Sequence, residues 1–266
     1  VQDALIPNSK NIYLGINDSN KENVIVKVLK KDKIKSEANL NNENLDHILH
    51  KLNNDFPIIK DIYLKKENDD IYIIMEKYDT DLYTLYRDKN KKFNLSDIEI
   101  IACELNDIFK KYKKENFVNG EIKLKNILIK YKNREKYEFE IKLSPSNEYI
   151  ISIIENNNKK RDLSKDIVNY GLCLFLLYFK NIFIIFYDNI NVKKIINFLR
   201  YLDKNLNNMI TEENVEQKVI DLIQEFSPKT FNKNNINLYQ ILKDNAFIKL
   251  VSQMIDDSIS WDKVFE

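Results

Sequence analysis

The side chains that most often bind transition metals are scarce in this sequence of 266 residues. His47 and His50 are its only histidines, and Cys103 and Cys173 are its only cysteines. A structural zinc site takes four such ligands, so further ligands would be needed around either pair. We therefore expect no metal site. Each cysteine lies within an apolar helical pattern, and we interpret both as buried thiols in a reducing compartment.

The charges of the chain are nearly balanced. Its 42 Lys and Arg residues and 41 Asp and Glu residues give a formal net charge of +1. A nucleic-acid-binding protein is usually marked by a basic patch, so the balance predicts no nucleic-acid partner. No secretory signal opens the sequence, and we expect an intracellular, cytoplasmic-side location.

The first 80 residues predict strands around a single helix. Residues 11–16 and 23–30 alternate in polarity and are rich in β-branched side chains, which indicates a hairpin across a polar turn. Residues 45–52 place four apolar side chains on one helical face. Residues 58–66 and 70–78 indicate a second hairpin. The predicted order is strand, strand, helix, strand, strand.

After Tyr78 the pattern is mainly helical. Residues 81–89 and 95–115 predict two helices, the second with Ser96 as its N-cap. Residues 127–131 and 137–143 predict two strands joined by a charged turn, and helices fill most of the remainder.

The longest apolar run, residues 171–187, raises the question of a membrane span. A span needs about 20 predominantly apolar residues. Lys180 and Asn181 interrupt this run, and a helix that is apolar on every side is also typical of the centre of a globular domain. We therefore predict a buried helix and no membrane span.

This layout resembles that of the protein kinases, and six short motifs carry the resemblance. They are VIVK (24–27), IYIIMEKY (71–78), NGEIKLKNILI (119–129), EIKLSPSN (140–147), KDIVNYG (165–171) and LYQILKDNAF (238–247). The resemblance implies an α+β, bilobal kinase-like fold. It places a small β-rich lobe with one helix at residues 1–78, a large, mainly helical lobe at 79–250, and a tail at 251–266.

The resemblance also implies which residues would contact a nucleotide. Lys27 matches the strand lysine that pairs with the α and β phosphates. Its partner would be a Glu on the single helix of the small lobe. Glu43 is our choice, although the alignment of ILHKL places Leu45 or Asp46 near the expected position and Glu43 or Glu37 would need a shift of register. Met75 would guard the back of the pocket, and the backbone of Glu76–Tyr78 would form the hinge.

Several positions that the kinase reaction needs hold other residues. The three glycines of the phosphate loop are matched by Leu5, Pro7 and Lys10, and a proline has no N–H to offer a phosphate. The triplet D-F-G, whose Asp binds Mg²⁺, is matched by Pro145-Ser146-Asn147. No carboxylate remains in that triplet to hold the metal.

The motif NGEIKLKNILI is matched to the catalytic loop H-R-D-L-x-x-x-N. Glu121 takes the place of the catalytic Asp, and its extra methylene moves the carboxylate by about 1.5 Å. A displacement of about 1 Å can cost roughly 100-fold in rate. Asn119 and Gly120 replace the His and Arg, while Lys123 and Asn126 are retained.

The segment that follows the D-F-G position is short. Glu155, which is matched to the Glu of A-P-E, lies eight positions after Asn147, and Tyr149 and Ser152 carry the only hydroxyl groups of the segment. We expect no phosphorylation switch there. The stretches KRDLSKDIVNYG and NAFIKLVSQMIDD also resemble the Ire-type kinases and ribonuclease L more weakly, without a nuclease domain being assigned.

The combined losses predict a catalytically inactive kinase-like domain that acts as a protein-interaction scaffold or allosteric regulator. Its partner would be a protein of unknown identity, and no metal cofactor is expected. One alternative is a module that binds ATP without Mg²⁺, through Lys27 and the backbone of Glu76–Tyr78. A further alternative is an unorthodox kinase, in which Glu121 orients the substrate and Glu43 or another acid replaces the missing metal ligand.

Overall fold

The computed structural model describes eleven stretches of the chain. These are residues 4–5, 11–34, 42–65, 67, 69–88, 90–91, 93–114, 119–133, 138–155, 163–180 and 245–255. The chain divides into two compact units. The first comprises Val1–Leu82, Asn119–Glu121 and Lys125–Arg161, and the second comprises Tyr83–Val118, Ile122–Leu124 and Asp162–Glu266. The predicted boundary between residues 78 and 79 stays a prediction.

An antiparallel sheet of five strands forms the first part of the first unit. The strands are β1 (Ala4–Leu5), β2 (Ile12–Ile16), β3 (Asn23–Leu29), β4 (Ile59–Lys65) and β5 (Asp70–Glu76). Their spatial order is β1-β2-β3-β5-β4. Both predicted hairpins, β2–β3 and β4–β5, are confirmed. In β5 the alternation matches burial, because Ile71, Ile73 and Met75 are buried while the residues between them are half-buried.

Helix α1 (Asn42–Asp55) packs against β4. Its side chains Leu45, Ile48 and Leu52 are buried, as the helical spacing predicts. From β2 to β5 the described residues therefore follow the predicted order of strand, strand, helix, strand, strand, and β1 precedes them. The structure is an α+β fold with a small antiparallel sheet first and helices later.

A second, three-stranded sheet lies in the first unit. Its strands are β6 (Thr80–Asp81), β7 (Ile127–Asn133) and β8 (Glu138–Leu143), in that order, and both neighbouring pairs are antiparallel. Helix α4 (Asn147–Ile154) follows β8 directly. We made no specific helix prediction for this segment, which the kinase resemblance matches to the short stretch after the D-F-G position.

The helices of the second unit begin with α2 (Leu82–Arg87) and α3 (Leu95–Lys114). Our N-cap prediction for α3 was wrong. Asn94, rather than Ser96, caps the helix: its Oδ1 accepts the Asp97 N–H at 2.8 Å. The Asp97 carboxylate in turn accepts the Asn94 N–H at 3.2 Å, which forms a reciprocal capping box.

Helices α5 (Leu163–Tyr178) and α6 (Asn245–Ile255) pack together in the second unit. From Cys173 to Phe179, the five residues that are at most 3% exposed are Cys173, Leu174, Phe175, Leu177 and Phe179, so this part of the long apolar run is buried as predicted. Residues 181–187 of the run lie outside the described residues. Among the helices that the structure describes, none is long and apolar enough to cross a membrane.

The two cysteines differ in environment. Cys173 is buried in α5, and burial raises the pKa of its thiol to about 12, although a hydrogen bond from the Leu124 backbone opposes the shift. Our interpretation of Cys103 as buried was wrong, because this residue is exposed on α3. The buried face of α3 consists of Ile98, Ile101, Leu105, Phe109 and Tyr112. Cys103 points away from that face because it lies two residues from both Ile101 and Leu105, about half a helical turn from each.

Candidate functional site

Lys27 is the most informative residue of the candidate site. It lies in β3, opposite Ile12 on β2 and Ile73 on β5. Only 9% of the residue is exposed. A buried ammonium group needs a hydrogen-bond acceptor, because losing its hydration is costly. Its Nζ donates to the backbone carbonyl of Pro145 at 2.7 Å.

Pro145 is the residue matched to the metal-binding Asp. It is buried, as are its neighbours Ser144 and Ser146. The structure therefore brings two of the predicted site residues together. The contact uses the backbone carbonyl of Pro145. Every residue type has such a carbonyl, so the identities of the side chains could not predict this pairing.

Ser146 connects this segment to the degenerate loop. Its hydroxyl donates to the backbone carbonyl of Asn119 at 3.0 Å. The same oxygen accepts the Tyr149 N–H at 2.9 Å and so caps the N-terminus of α4. Ser146 is only 1% exposed. Sequence reasoning treated it as a lost Phe and missed this role, although serine followed by a helix is a recognisable capping signal.

The loop from Asn119 to Asn126 is held by backbone interactions. The side-chain amide of Asn126 donates to the Glu121 carbonyl at 2.9 Å. The Asn126 carbonyl accepts the Ser144 N–H at 2.8 Å. The Asn126 side chain therefore binds the protein's own backbone, whereas the kinase resemblance implies that it would bind a metal ion. The arrangement ties residues 121, 126 and 144 into one polar network.

The backbone conformation of Gly120 accounts for one difference between this loop and the kinase motif, which has Arg at the same position. Its φ of +78° lies in the left-handed region, which L-residues with a Cβ rarely adopt. An Arg at this place, as in the kinase motif, would be strained. Glu121 and Lys123 are both half-buried.

The hinge-like residues are engaged with neighbouring strands of the first unit. Met75 is buried on β5, and the Glu76 N–H donates to the Ile58 carbonyl at 2.7 Å. The Glu76 carboxylate pairs with Lys130 on β7 and lies 3.6 Å from the Lys60 Nζ on β4. Sequence reasoning missed both lysines, which lie on strands far apart in the chain.

Tyr78 is the last of the hinge-like residues. It is 9% exposed, and burial raises the pKa of its hydroxyl above the usual range, with the nearby carboxylates of Glu140 and Glu76 adding to the shift. The Lys130 ammonium lies 5.8 Å from the centre of its ring. At neutral pH the phenol is therefore protonated.

Helix α4 fills the place of the short segment after the D-F-G position. The Tyr149 hydroxyl donates to the Asp55 carboxylate at the end of α1. Its ring meets Phe56 edge-on, with 5.5 Å between the centroids. Ser152, the other hydroxyl-bearing residue, donates to the Tyr149 carbonyl at 2.7 Å. The Tyr149 hydroxyl therefore connects α4 to α1, and the Ser152 hydroxyl forms a hydrogen bond within α4.

Some predicted site residues lie outside the described part of the chain. Pro7, Lys10 and Glu37 are among them, as is the side chain of Glu43, although the backbone of Glu43 belongs to α1. The predicted pairing of Lys27 with Glu43 stays a prediction. The described residues contain no cluster of three or more His, Cys, Asp or Glu side chains that could hold a metal ion.

No protein-family profile matches the sequence, and no curated protein is significantly similar to it. The assignment of function therefore depends on the geometry above.

Proposed function

We propose that this chain is a catalytically inactive kinase-like protein that serves as a scaffold or allosteric regulator. The proposal includes the bilobal fold, with a β-rich lobe at 1–78 and a helical lobe at 79–250. The strand and helix order of the first unit supports it. So does the position of Lys27 on the third strand, because the phosphate-binding lysine of protein kinases lies on the third strand of their small lobe.

The contact between Lys27 and the Pro145 carbonyl carries the proposal. Phosphoryl transfer is catalysed mainly by positioning and by cations that neutralise the phosphate charge. Here the ammonium group donates to the backbone at the position of the missing metal ligand. An incoming phosphate would have to compete with that buried hydrogen bond.

The surrounding groups favour the same interpretation. Ser146, Asn126 and the loop carbonyls hydrogen-bond one another, so these polar groups stabilise the fold. Since the site has no carboxylate at 145–147, nothing there offers Mg²⁺ the charged oxygen ligands that it prefers. Function would then depend on the protein's surface and on a protein partner.

A metal-independent nucleotide sensor remains the alternative. It would require the Lys27 ammonium to move from the Pro145 carbonyl to a phosphate, at the cost of a buried acceptor left without its donor. It would also have to use hinge groups other than the Glu76 N–H, which already donates to Ile58. An unorthodox kinase would further need a metal ligand to replace the missing Asp.

Two measurements on the wild type and Lys27→Met test these functions. The first follows phosphate transfer from labelled Mg-ATP or Mn-ATP to the protein and to a general peptide substrate. The second follows the melting temperature with ATP, with and without a chelator. Lys51→Met, an exposed lysine on α1, is the matched control.

We expect no transfer above the level of Lys27→Met and no shift of the melting temperature by ATP. Transfer by the wild type and Lys51→Met that Lys27→Met lacks would overturn the proposal. A thermal shift that survives the chelator but disappears in Lys27→Met would instead favour the nucleotide sensor.

A further inference from the structure

Lys180 is a buried charge that the candidate site does not use. It interrupts the longest apolar run of the sequence and lies just beyond the end of α5. Only 8% of the residue is exposed. Burial lowers the pKa of its amine, and the effect is opposed by Asp88 and reinforced by Lys91. A lysine so placed in an apolar core needs groups that compensate for its lost hydration.

Three backbone carbonyls surround the ammonium group. The Lys180 Nζ donates to the carbonyl of Leu85 at 2.9 Å and to that of Asp88 at 2.7 Å, and also donates to the carbonyl of Lys91. An ammonium group has three N–H donors, so these acceptors match its full capacity. A neutral amine has only two and could not bond all three.

Two aromatic rings complete this cage. The centre of the Phe93 ring lies 5.2 Å from the Lys180 Nζ, and that of the Tyr86 ring lies 6.0 Å away. Both distances are within the range at which an aromatic face attracts a cation. The cage is therefore built for a positive charge, from residues 85–93.

The carbonyls belong to the end of α2 and to residues that follow it. Leu85 lies in the last turn of α2, and Asp88 and Lys91 lie between α2 and α3. The last carbonyls of a helix have no acceptor role within it, and cationic side chains can satisfy them. Lys180 supplies that cation from a segment some 90 residues later in the chain.

We propose that Lys180 is a latch that fixes the connection between α2 and α3 to the end of α5 by its positive charge. The latch joins Lys180 to the last turn of α2 and to Asp88 and Lys91, which follow that helix. This inference concerns the second unit and holds whether or not the proposed function is correct.

Hydrogen exchange in Lys180→Met tests the latch, because methionine matches the unbranched apolar stem of lysine and lacks its ammonium group. The informative amides are those of Asp88 and Lys91, which donate to the carbonyls of Thr84 and Asp88. We expect their exchange to accelerate at least about tenfold, with little change in the amides of α6. Lys249→Met, an exposed lysine on α6, should leave both sets unchanged. Exchange at Asp88 and Lys91 that matches the wild type would overturn the proposal.

Amine acetylation of the wild-type protein keeps the proposal testable if Lys180→Met fails to fold. Under limited labelling, we expect Lys180 to be acetylated at least about tenfold more slowly than Lys249, because a caged ammonium reacts only when the latch opens. Equal rates for the two lysines, read by mass spectrometry, would show that no latch exists.

Discussion

At the scale of single residues, the degenerate site is held together mainly by backbone acceptors. Lys27 donates to a proline carbonyl, Ser146 to the Asn119 carbonyl and Asn126 to the Glu121 carbonyl. Each of these side chains stands at a position for which the kinase resemblance implies another role or another residue. Their present partners explain why such polar side chains are compatible with a buried or half-buried site.

Replacing Ser146 with Ala tests the importance of this network for stability. The change removes the cap of α4 and the donor to the Asn119 carbonyl, so we expect the free energy of unfolding to fall by about 1–3 kcal/mol. Ser152→Ala, in the same helix but away from its cap, should cost less than about 1 kcal/mol. Urea denaturation of both variants measures the difference. Equal losses would show that the Ser146 contacts contribute nothing specific.

At the scale of elements, close helix packing in the second unit depends on one glycine. A Cβ at Gly171 of α5 would lie 2.8 Å from the Met254 Cβ and 3.0 Å from the Ile255 Cγ1 on α6. The first of these atoms is fixed to the backbone and cannot move away by a rotamer change. Gly171 is therefore required by the contact between the helices rather than by its own backbone conformation.

Gly171→Ala should destabilise the protein although alanine favours helix formation by about 1 kcal/mol over glycine. Overpacking of a close contact typically costs about 1–3 kcal/mol, so we expect a net loss in the free energy of unfolding. The matched comparison is Gly120→Ala. A Cβ at residue 120 would meet no atom within 4 Å, but the φ of +78° there is unfavourable for alanine. Its loss should be about 1–2 kcal/mol, from backbone strain alone.

Thermal or urea unfolding of both glycine variants gives the test. Increased stability of Gly171→Ala would mean that α5 and α6 separate at little cost, contrary to the packing described.

At the scale of the whole molecule, the chain passes between the two compact units several times. The first unit contains residues 119–121 and 125–161 in addition to the first 82. The Pro145 carbonyl that Lys27 binds and the Lys130 ammonium that pairs with Glu76 both lie in these later segments. A division of the chain at residue 78 therefore separates groups that contact one another within the first unit.

A fragment of residues 1–78 should consequently fail to fold on its own. It would leave the Lys27 ammonium without the Pro145 carbonyl and expose the surface of α1 that meets α4. A fragment of this size also buries too little surface to compensate for such losses. Circular dichroism and proton–nitrogen correlation spectra should show an unfolded or aggregated chain, with the full chain as control. Cooperative unfolding of the fragment would support the boundary that the sequence suggested.

The sequence by itself determined the local elements. Alternation over residues 11–30 and 58–78 predicted both hairpins, and the spacing of Leu45, Ile48 and Leu52 predicted α1, because these patterns depend only on which face is buried. The exposure of Cys103 could also have been predicted from the sequence, because this residue lies about half a helical turn from the apolar stripe of α3. We predicted a buried thiol because the residues around Cys103 in the sequence are apolar.

Only the tertiary structure decided the partners of the buried charges. Lys27 and Pro145 lie 118 residues apart, and Lys180 lies 89 to 95 residues from the three carbonyls that it binds. Backbone carbonyls occur at every residue and leave no mark in the sequence. Local periodicity therefore predicted the strands and helices, whereas the fold alone brought each buried ammonium group to its acceptors.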